Sequence, residues 1–460
     1  MASALDLDPE QRRALFAELC AMLDAPAPPV SPKGRPRAEL DLANAVDPLA
    51  ALRAVAEGLT AGQVHPTSPR YFGLNLPTPA TVAVVAEALV AARNPQLATH
   101  GHAPFAVELE AETLRAIARR LGLEEPVEGT FTTGAAEANL MAVATALVVA
   151  HPEVVTGGVR ALAADPTLYA SAEAHPTVTR AARLAGLGAD AVRTIPTDAT
   201  HRLKLRALHE ALAHDRAAGK RPLLVVATAG TTSGGTFDPL DEIVEVATRA
   251  GAQVHVDAAY GGLAGFVPEL APLLSGLGRA DSVAFDPHKA LAVPLGAGVF
   301  LTRRPGALAA TFGVRAGYMP RGATRDPYAL SPRWSRRFVG LPTYLVLATL
   351  GEAGVAAFLR EQVALADRLR ERLTTHGFRV VNDTRLPIVC FVDGGPMGDG
   401  AAHLERLRRA AIAGDDGWTS LVHFANGKRA LRACITSHRT TAADVDRLVD
   451  ALVTAREPPR

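Results

Sequence analysis

The chain has 460 residues, of which 48% are hydrophobic and 21% charged, with 48 Lys and Arg against 47 Asp and Glu. That length exceeds the ~250–300 residues at which single cores stop growing and predicts two domains plus an arm; the composition excludes a disordered chain. A net charge of +1 gives no general attraction for nucleic acid or an anionic membrane. Cys20, Cys390 and Cys434 are odd in number and far apart, which excludes a disulfide framework and a C-x-x-C zinc spacing and points to a reducing cytoplasm. The N-terminus carries acids where a signal peptide carries bases, and the longest apolar run, 140–150, falls short of the ~20 residues of a spanning helix. The expectation is a cytoplasmic protein without a membrane anchor.

Residues 7–24 place Leu15, Phe16, Leu19, Cys20 and Leu23 on one helical face, which predicts an amphipathic helix. The Pro-rich stretch 26–37 reads as an extended connector. An apolar helix on such a strap either packs on a neighbouring subunit or folds back on its own domain. Helices are predicted at 82–93 and 108–122, and a strand at 129–133 leads into a helix at 137–150. Strands follow at 160–164, 222–230, 252–260, 281–287 and 296–303, alternating with helices. This pattern specifies a largely parallel α/β sheet covered on both faces, with its ligand site at the strand carboxyl ends. A long helical stretch, 343–374, leads into a smaller unit with strands at 378–381, 387–393 and 431–437. Its last helix opens with a capping box, Thr441 to Asp444. The predicted organisation is an N-terminal helical arm (1–66), a large domain (67–342) and a small C-terminal domain (343–460).

The candidate chemistry follows the strands. In SVAFDPHKALAVPLGAG (282–298), Lys289 sits among apolar residues at a strand end. Burial there lowers an ammonium pKa and makes an amine nucleophile for a Schiff base, although such lysines are also common salt-bridge partners. In AQVHVDAAYGG (252–262), Asp257 ends an apolar strand; it either caps the next segment or meets a cation such as a protonated pyridine nitrogen. GTFTTGAAEANLMA (129–142) combines a strand, a small-residue turn and a helix N-terminus whose free N–H groups suit an anion. SAEAHPTV (171–178) places His175 after a strand, where histidines are also often plain core residues. Taken together these are a phosphate cradle, a ring-stacking imidazole, an acid for a ring nitrogen, and a lysine 32 positions after the acid. That is an inventory for pyridoxal 5'-phosphate.

On these motifs, and from SPRYFGLNLPTPAT (68–81) to LRACITSHRTTAADVDRL (431–448), the sequence resembles the group II pyridoxal-phosphate-dependent amino-acid decarboxylases, the family of aromatic-amino-acid and glutamate decarboxylases. The resemblance implies fold type I, the aspartate-aminotransferase-like α/β architecture: a large domain with a mostly parallel seven-stranded sheet, a small C-terminal α+β domain and an N-terminal helical arm. It also implies a homodimer with the active site at the subunit interface. Lys289 is then the Schiff-base lysine and Asp257 the partner of the ring nitrogen. His175 stacks on one face of the ring and Ala259 packs on the other, Thr228 lies near the phenolic oxygen, and Ala135, Ala136, Asp286 and His288 surround the phosphate. A tyrosine on a mobile loop commonly returns the proton. The segment 315–338 offers Tyr318 and Tyr328, and position ahead of SRRF favours Tyr328, with ordinary surface tyrosines as the alternative.

Two departures stand out. The family's SGGSEAN pattern becomes Gly134, Ala135, Ala136 and Glu137, losing a hydroxyl for which Thr132 or Thr133 is the available substitute, and Ala290 replaces the usual Trp after the lysine. The family's substrate pocket corresponds to 71–79 and 96–105, with Tyr260 bordering it. Asn75, Leu76, Gln96 and Ala98 supply no aromatic wall there, which argues against dopa or tryptophan. His100, His102 and Arg70 favour an acidic or polar side chain, unless the two histidines are buried hydrogen-bonding residues. No third ligand accompanies them, so no metal site is expected. The expected activity is decarboxylation of an L-amino acid, with a small, polar or acidic side chain, to the amine and CO2. The alternatives are an aminotransferase, a C–C lyase, an oxidative aldehyde synthase of the same fold, or a non-catalytic binding protein.

Overall fold

The computed structural model describes residues 7–37, 41–314, 326–395, 398 and 400–456. Helix α1 (Pro9–Asp24) starts where Asp8 accepts the N–H groups of Glu10 and Gln11 and the Gln11 side chain returns the bond, a complete capping box with Pro at the first position. Helix α2 (Pro48–Gly62) is capped by Asp47, and an Arg53–Glu18 ion pair at 2.7 Å ties the two helices together. Neither helix buries a residue, and Phe16 and Val55 are each 60% exposed. The strap between them returns to its own chain: Val30 is fully buried, and its N–H donates to Asp415 in the small unit at 2.7 Å.

Helices α3 (Thr81–Arg93) and α4 (Pro104–Arg120) precede the main sheet. The sheet elements alternate with helices in chain order: β1 (Glu128–Thr132), α5 (Ala135–Ala150), α6 (Val154–Gly157), β2 (Pro166–Ser171), α7 (Thr177–Leu184), β3 (Val192–Ile195), α8 (Leu205–Ala217), β4 (Arg221–Thr228), α9 (Leu240–Ala250) and β5 (Gln253–Asp257). Then come β6 (Ser282–Phe285), the single turn α10 (Pro287–Ala290), β7 (Gly298–Thr302) and α11 (Ala307–Phe312). The seven strands lie in the order β1-β7-β6-β5-β4-β2-β3. β7 runs antiparallel to β1 and β6, while β3-β2-β4-β5-β6 pair parallel. β4 and β5 are almost wholly buried, as strands covered on both faces must be, and their continuous apolar runs follow from that.

The strand expected at 160–164 is not there. Those residues close a short 3-10 turn (Gly158–Ala161), and the strand is β2. An alanine-rich pentapeptide has neither β-branched nor aromatic side chains to favour a pleated surface, whereas β2 carries Thr167 and Tyr169, both buried in the sheet. β3 also went unpredicted.

Helix α12 (Gly340–Thr375) is by length and composition apolar enough to cross a membrane, but Gly351, at φ 60° and ψ −175°, breaks it. It packs on α3 and α4 before the break and reaches the small unit after it, so it is the spine joining the two bodies. The small unit is the antiparallel sheet β10-β11-β9-β8. It comprises β8 (Phe378–Val380), β9 (Ile388–Asp393), α13 (Ala401–Ala413), β10 (Ser420–His423), β11 (Arg429–Cys434) and α14 (Ala442–Thr454), the last with its Thr441–Asp444 capping box in place. Residues 70–73 join this unit: the Phe72 N–H donates to Trp418 O, the Cys434 N–H donates to Phe72 O, and the Tyr71 ring stacks on Trp418 at 5.4 Å. A side chain at Gly73 would strike the Trp418 ring at 2.2 Å, so only glycine lets the two segments approach.

Candidate active site

The parallel register brings the predicted residues to one edge of the sheet. Thr228 at the end of β4 lies opposite Asp257 at the end of β5, which in turn lies opposite Ala284 of β6, two residues before Asp286. β1 delivers the turn Thr133–Gly134 and the N-terminus of α5 to the same edge, and β2 is followed by His175. A cavity of about 390 Å³ opens there. Its walls include Ala135, Ala136, His175, Thr228, Asp257, Ala259, Asp286, His288 and Lys289, together with Asn75, Leu76 and Tyr260. That volume and concavity are those of a small-ligand site.

At the floor, Asp257 is 5% exposed, and both of its oxygens accept: Oδ1 from the Ala259 N–H at 3.1 Å and Oδ2 from Asn139 Nδ2 at 2.9 Å. His255, behind it on the same strand, is completely buried, and burial lowers its pKa to about 4. His255 is therefore a neutral ring at physiological pH. Burial also lowers His175, despite the opposing pull of Asp257.

Lys289 departs from the expectation. Burial by itself would lower its pKa, but the Asp286 carboxylate lies 2.8 Å from Nζ, and Asp257 adds to the attraction, so the ammonium is held above its ordinary value. The single turn of α10 folds residue 289 back onto residue 286, which a reading by apolar flanks alone does not see. His288 Nδ1 donates to Ala297 O at 2.6 Å, which leaves Nε2 on the Asp286 side, 3.8 Å from its Oδ2.

The two threonines of the phosphate turn sit differently. Thr132 is fully buried and its hydroxyl donates to Gly134 O at 3.1 Å, whereas Thr133 is exposed and lines the cavity. The Thr133 N–H and hydroxyl both donate to Glu137, at 2.8 and 2.9 Å. Ala135 and Ala136 open α5, where N–H groups have no acceptor one turn earlier.

The residues present fit pyridoxal 5'-phosphate. Among the described residues, Thr228 Oγ1, Asp286 Oδ1, Asn75 Oδ1 and the Tyr260 hydroxyl are buried without a hydrogen-bond partner, and all four belong to the cavity wall. Orphaned buried polar atoms on this scale call for a polar ligand. An amine, a buried carboxylate, a helix N-terminus and an unpaired hydroxyl are the groups the cofactor's aldehyde, ring nitrogen, phosphate and phenolic oxygen need.

A fold of this kind around such a lysine defines a pyridoxal-phosphate-dependent enzyme of fold type I. Residues 35–392 match the pyridoxal-dependent decarboxylase conserved domain, and the chain belongs to that family, whose cofactor is pyridoxal 5'-phosphate. Tyrosine decarboxylase of Oryza sativa subsp. japonica is 33% identical over 358 residues, spanning 74% of this chain and 66% of that protein. L-2,4-Diaminobutyrate decarboxylase of Rhizobium meliloti (strain 1021) is 30% identical over 410 residues, 85% of this chain and 78% of that one. The crystal structure of Oryza sativa TDC with PLP and tryptamine matches with a TM-score of 0.92 at 26% identity, over 99% of both chains.

The remaining predicted residues gather elsewhere. The Tyr328 N–H donates to Ala98 O at 2.9 Å, and its ring lies 4.7 Å from Trp334. His100 pairs with Glu108 at 3.2 Å and its N–H donates to Asp326, while His102 bonds Thr99 at 3.1 Å. These three side chains are not in the cavity wall of their own chain. Arg70 pairs with Asp415 in the small unit. Tyr318 lies outside the described residues.

Sequence reasoning missed Asn139, Thr177 and Arg432. Asn139 had a signal, as a polar residue inside an otherwise apolar helix segment. Arg432 had one too, as a charge within the strand LRAC. It is 3% exposed, and its guanidinium donates to the carbonyls of Gly73, at 3.0 Å, and Thr232, so its charge faces the cavity from the small unit.

Proposed function

We propose that this chain decarboxylates an L-amino acid with a small, polar or acidic side chain, releasing the amine and CO2. The observation that carries the reading is the convergence of Lys289, Asp257, His175 and the N-terminus of α5 on one cavity. Bound pyridoxal 5'-phosphate supplies an aldehyde that condenses with amines and a ring that takes up the electron pair left when CO2 departs. Asp257 would face the ring nitrogen, Thr228 the phenolic oxygen, and Ala135, Ala136 and His288 the phosphate. His175 would cover one face of the ring and Ala259 the other. Arg432 supplies a buried cation suited to a substrate carboxylate.

The side-chain preference rests on the wall. Among the described residues of the cavity, Tyr260 is the only Phe, Tyr or Trp, and Leu74, Asn75, Leu76, Thr232 and Leu295 complete the outer part. Burial holds the Tyr260 phenol well above its ordinary pKa, so it acts as a neutral hydrogen-bonding group.

Three further elements belong to the same reading. A homodimer is supported by the arm, whose Phe16, Leu19, Val55 and Leu59 are exposed among the described residues. A partner's segment would then bring His100, His102 and the proton-donating Tyr328 to the cavity. A cytoplasmic location is supported by the free thiols of Cys20, Cys390 and Cys434.

The test is incubation of cofactor-loaded protein with acidic, small aliphatic, basic and aromatic L-amino acids, with products identified by mass spectrometry. An amine from an acidic or small member supports the reading. An amine from tyrosine or tryptophan alone overturns the side-chain preference, and keto acid or aldehyde overturns decarboxylation in favour of transamination or oxidative aldehyde formation.

A further inference from the structure

A single buried amide lies behind the cavity and bonds Asp257, Thr177 and His255 together. Asn139, 2% exposed on α5, uses both protons of Nδ2, one to Asp257 Oδ2 and one to Thr177 Oγ1, each at 2.9 Å. Its Oδ1 lies 2.9 Å from His255 Nε2. The opposite orientation of the amide would set an oxygen against the Asp257 carboxylate, two acceptors facing each other, so the orientation is fixed by its neighbours.

Proton counting then settles both imidazoles. Asn139 Oδ1 can only accept, so His255 Nε2 carries a proton. His255 Nδ1, 2.9 Å from Ser282 Oγ, accepts the Ser282 hydroxyl. On the other arm, Thr177 Oγ1 already accepts from Asn139 and has one proton to give, and the atom within reach is His175 Nδ1 at 2.9 Å. The Thr177 N–H points at the same nitrogen from 3.3 Å. With two donors on Nδ1, neutral His175 must carry its proton on Nε2, the edge turned away from Thr177. The same amide leaves Asp257 bonded to neutral donors alone, so its charge stays available to a cationic ring nitrogen.

We propose that Asn139 is a positioning residue: one amide fixes the Nε2–H tautomer of His175, so that the cavity meets a donor there and not a lone pair, and orients the Asp257 carboxylate. The functional side of this inference rests on the decarboxylase reading, while the tautomer assignment does not. Asn139 need not touch cofactor or substrate; it acts through Thr177 and Asp257.

The test separates the two. In the full-length protein labelled with 15N-histidine, with and without cofactor, the His175 signals are identified by their absence from His175→Gln. The expected result is an unprotonated Nδ1 and a protonated Nε2; a protonated Nδ1 overturns the proposal whatever the enzyme's activity. Thr177→Val removes the hydroxyl that links Asn139 to His175 and keeps the Asp257 bond, leaving only the longer backbone N–H on Nδ1. It should raise the share of the Nδ1–H tautomer of His175 and lower kcat while leaving the cofactor dissociation constant unchanged. Asn139→Leu should do both, weakening cofactor binding about tenfold for the loss of one hydrogen bond to a charged group. If Asn139→Leu does not fold, the Thr177→Val arm decides alone. An unaltered His175 tautomer in Thr177→Val overturns the proposal even if decarboxylation is established, and a failed substrate panel with the tautomers as described overturns only the function.

Discussion

The Asp286 carboxylate stands 2.8 Å from the Lys289 ammonium, so the nucleophile of this site is held as half of an ion pair. The pairing raises the lysine above its ordinary value of 10.5 in the folded chain. It therefore adds stability that is complete below that value and is lost as pH rises through the folded pKa. A lysine must shed its proton before it attacks an aldehyde. Asp286→Asn leaves Lys289 with the burial effect and a weaker opposing charge, so its pKa should fall. Cofactor capture by the cofactor-free protein, followed by absorbance across pH, should shift to lower pH. An unmoved profile would show that Asp286 does not govern the lysine.

Asp238 gives a second pH signature. It is 3% exposed and accepts the N–H groups of Leu203 and Thr228, both at 2.8 Å, and burial pushes its carboxyl up from 3.8 to about 6. Because the folded value is the higher one, the protonated form contributes stability that is complete below 3.8 and disappears as pH rises through about 6, on the order of 2–3 kcal/mol. Wild type should therefore exceed Asp238→Asn in apparent melting temperature by more at pH 4.5 than at pH 7.5. An equal margin at both would remove Asp238 as the titrating group.

The phosphate turn depends on a close backbone approach. A Cβ at Gly298 would lie 2.5 Å from Gly134 Cα and from Thr132 Oγ1. Gly298→Ala must push the turn outward, costing about 1–3 kcal/mol and weakening cofactor affinity measured by equilibrium dialysis. Wild-type affinity in this variant would mean that the turn is not part of the cofactor site.

Glu110 and Arg336, 5% and 4% exposed, pair at 3.2 Å beneath the start of α12, with Glu110 also accepting the Gly340 N–H at 3.0 Å. Burial is the largest influence on both, raising the acid and lowering the base. Arg336→Met leaves Glu110 buried without its cation and should cost about 3–5 kcal/mol, whereas Glu110→Leu with Arg336→Met should recover much of it. Chemical denaturation of the three proteins measures this; a single variant no weaker than the double one would contradict it.

What the sequence carried and what it did not divides along the range of the interactions. β4, β5 and β6 were legible because a strand covered on both faces must be a continuous apolar run, and Asp257 was legible as the acid ending one of them, whereas Thr228 and Asp286 came from the family resemblance. β2 was not, since its mixed side chains compete locally with the alanine run before it, and β3 is only four residues long. Asn139 meets Asp257 across 118 positions and Thr177 across 38. Only packing of α5 against the sheet makes that contact, and no local pattern encodes it. The pKa of Lys289 was misread for the opposite reason: its partner sits three residues away, but the turn that joins them belongs to backbone geometry and not to apolar flanks.

The central claim is that this cavity releases the α-carboxylate of an amino acid as CO2. The most direct measurement supplies cofactor-loaded protein with amino acids labelled at the α-carboxyl carbon and follows the label, with Lys289→Ala as the control. The account predicts label in CO2 and an unlabelled amine from the wild type, and neither from Lys289→Ala. Label retained in a keto acid, or CO2 released equally by Lys289→Ala, would contradict it.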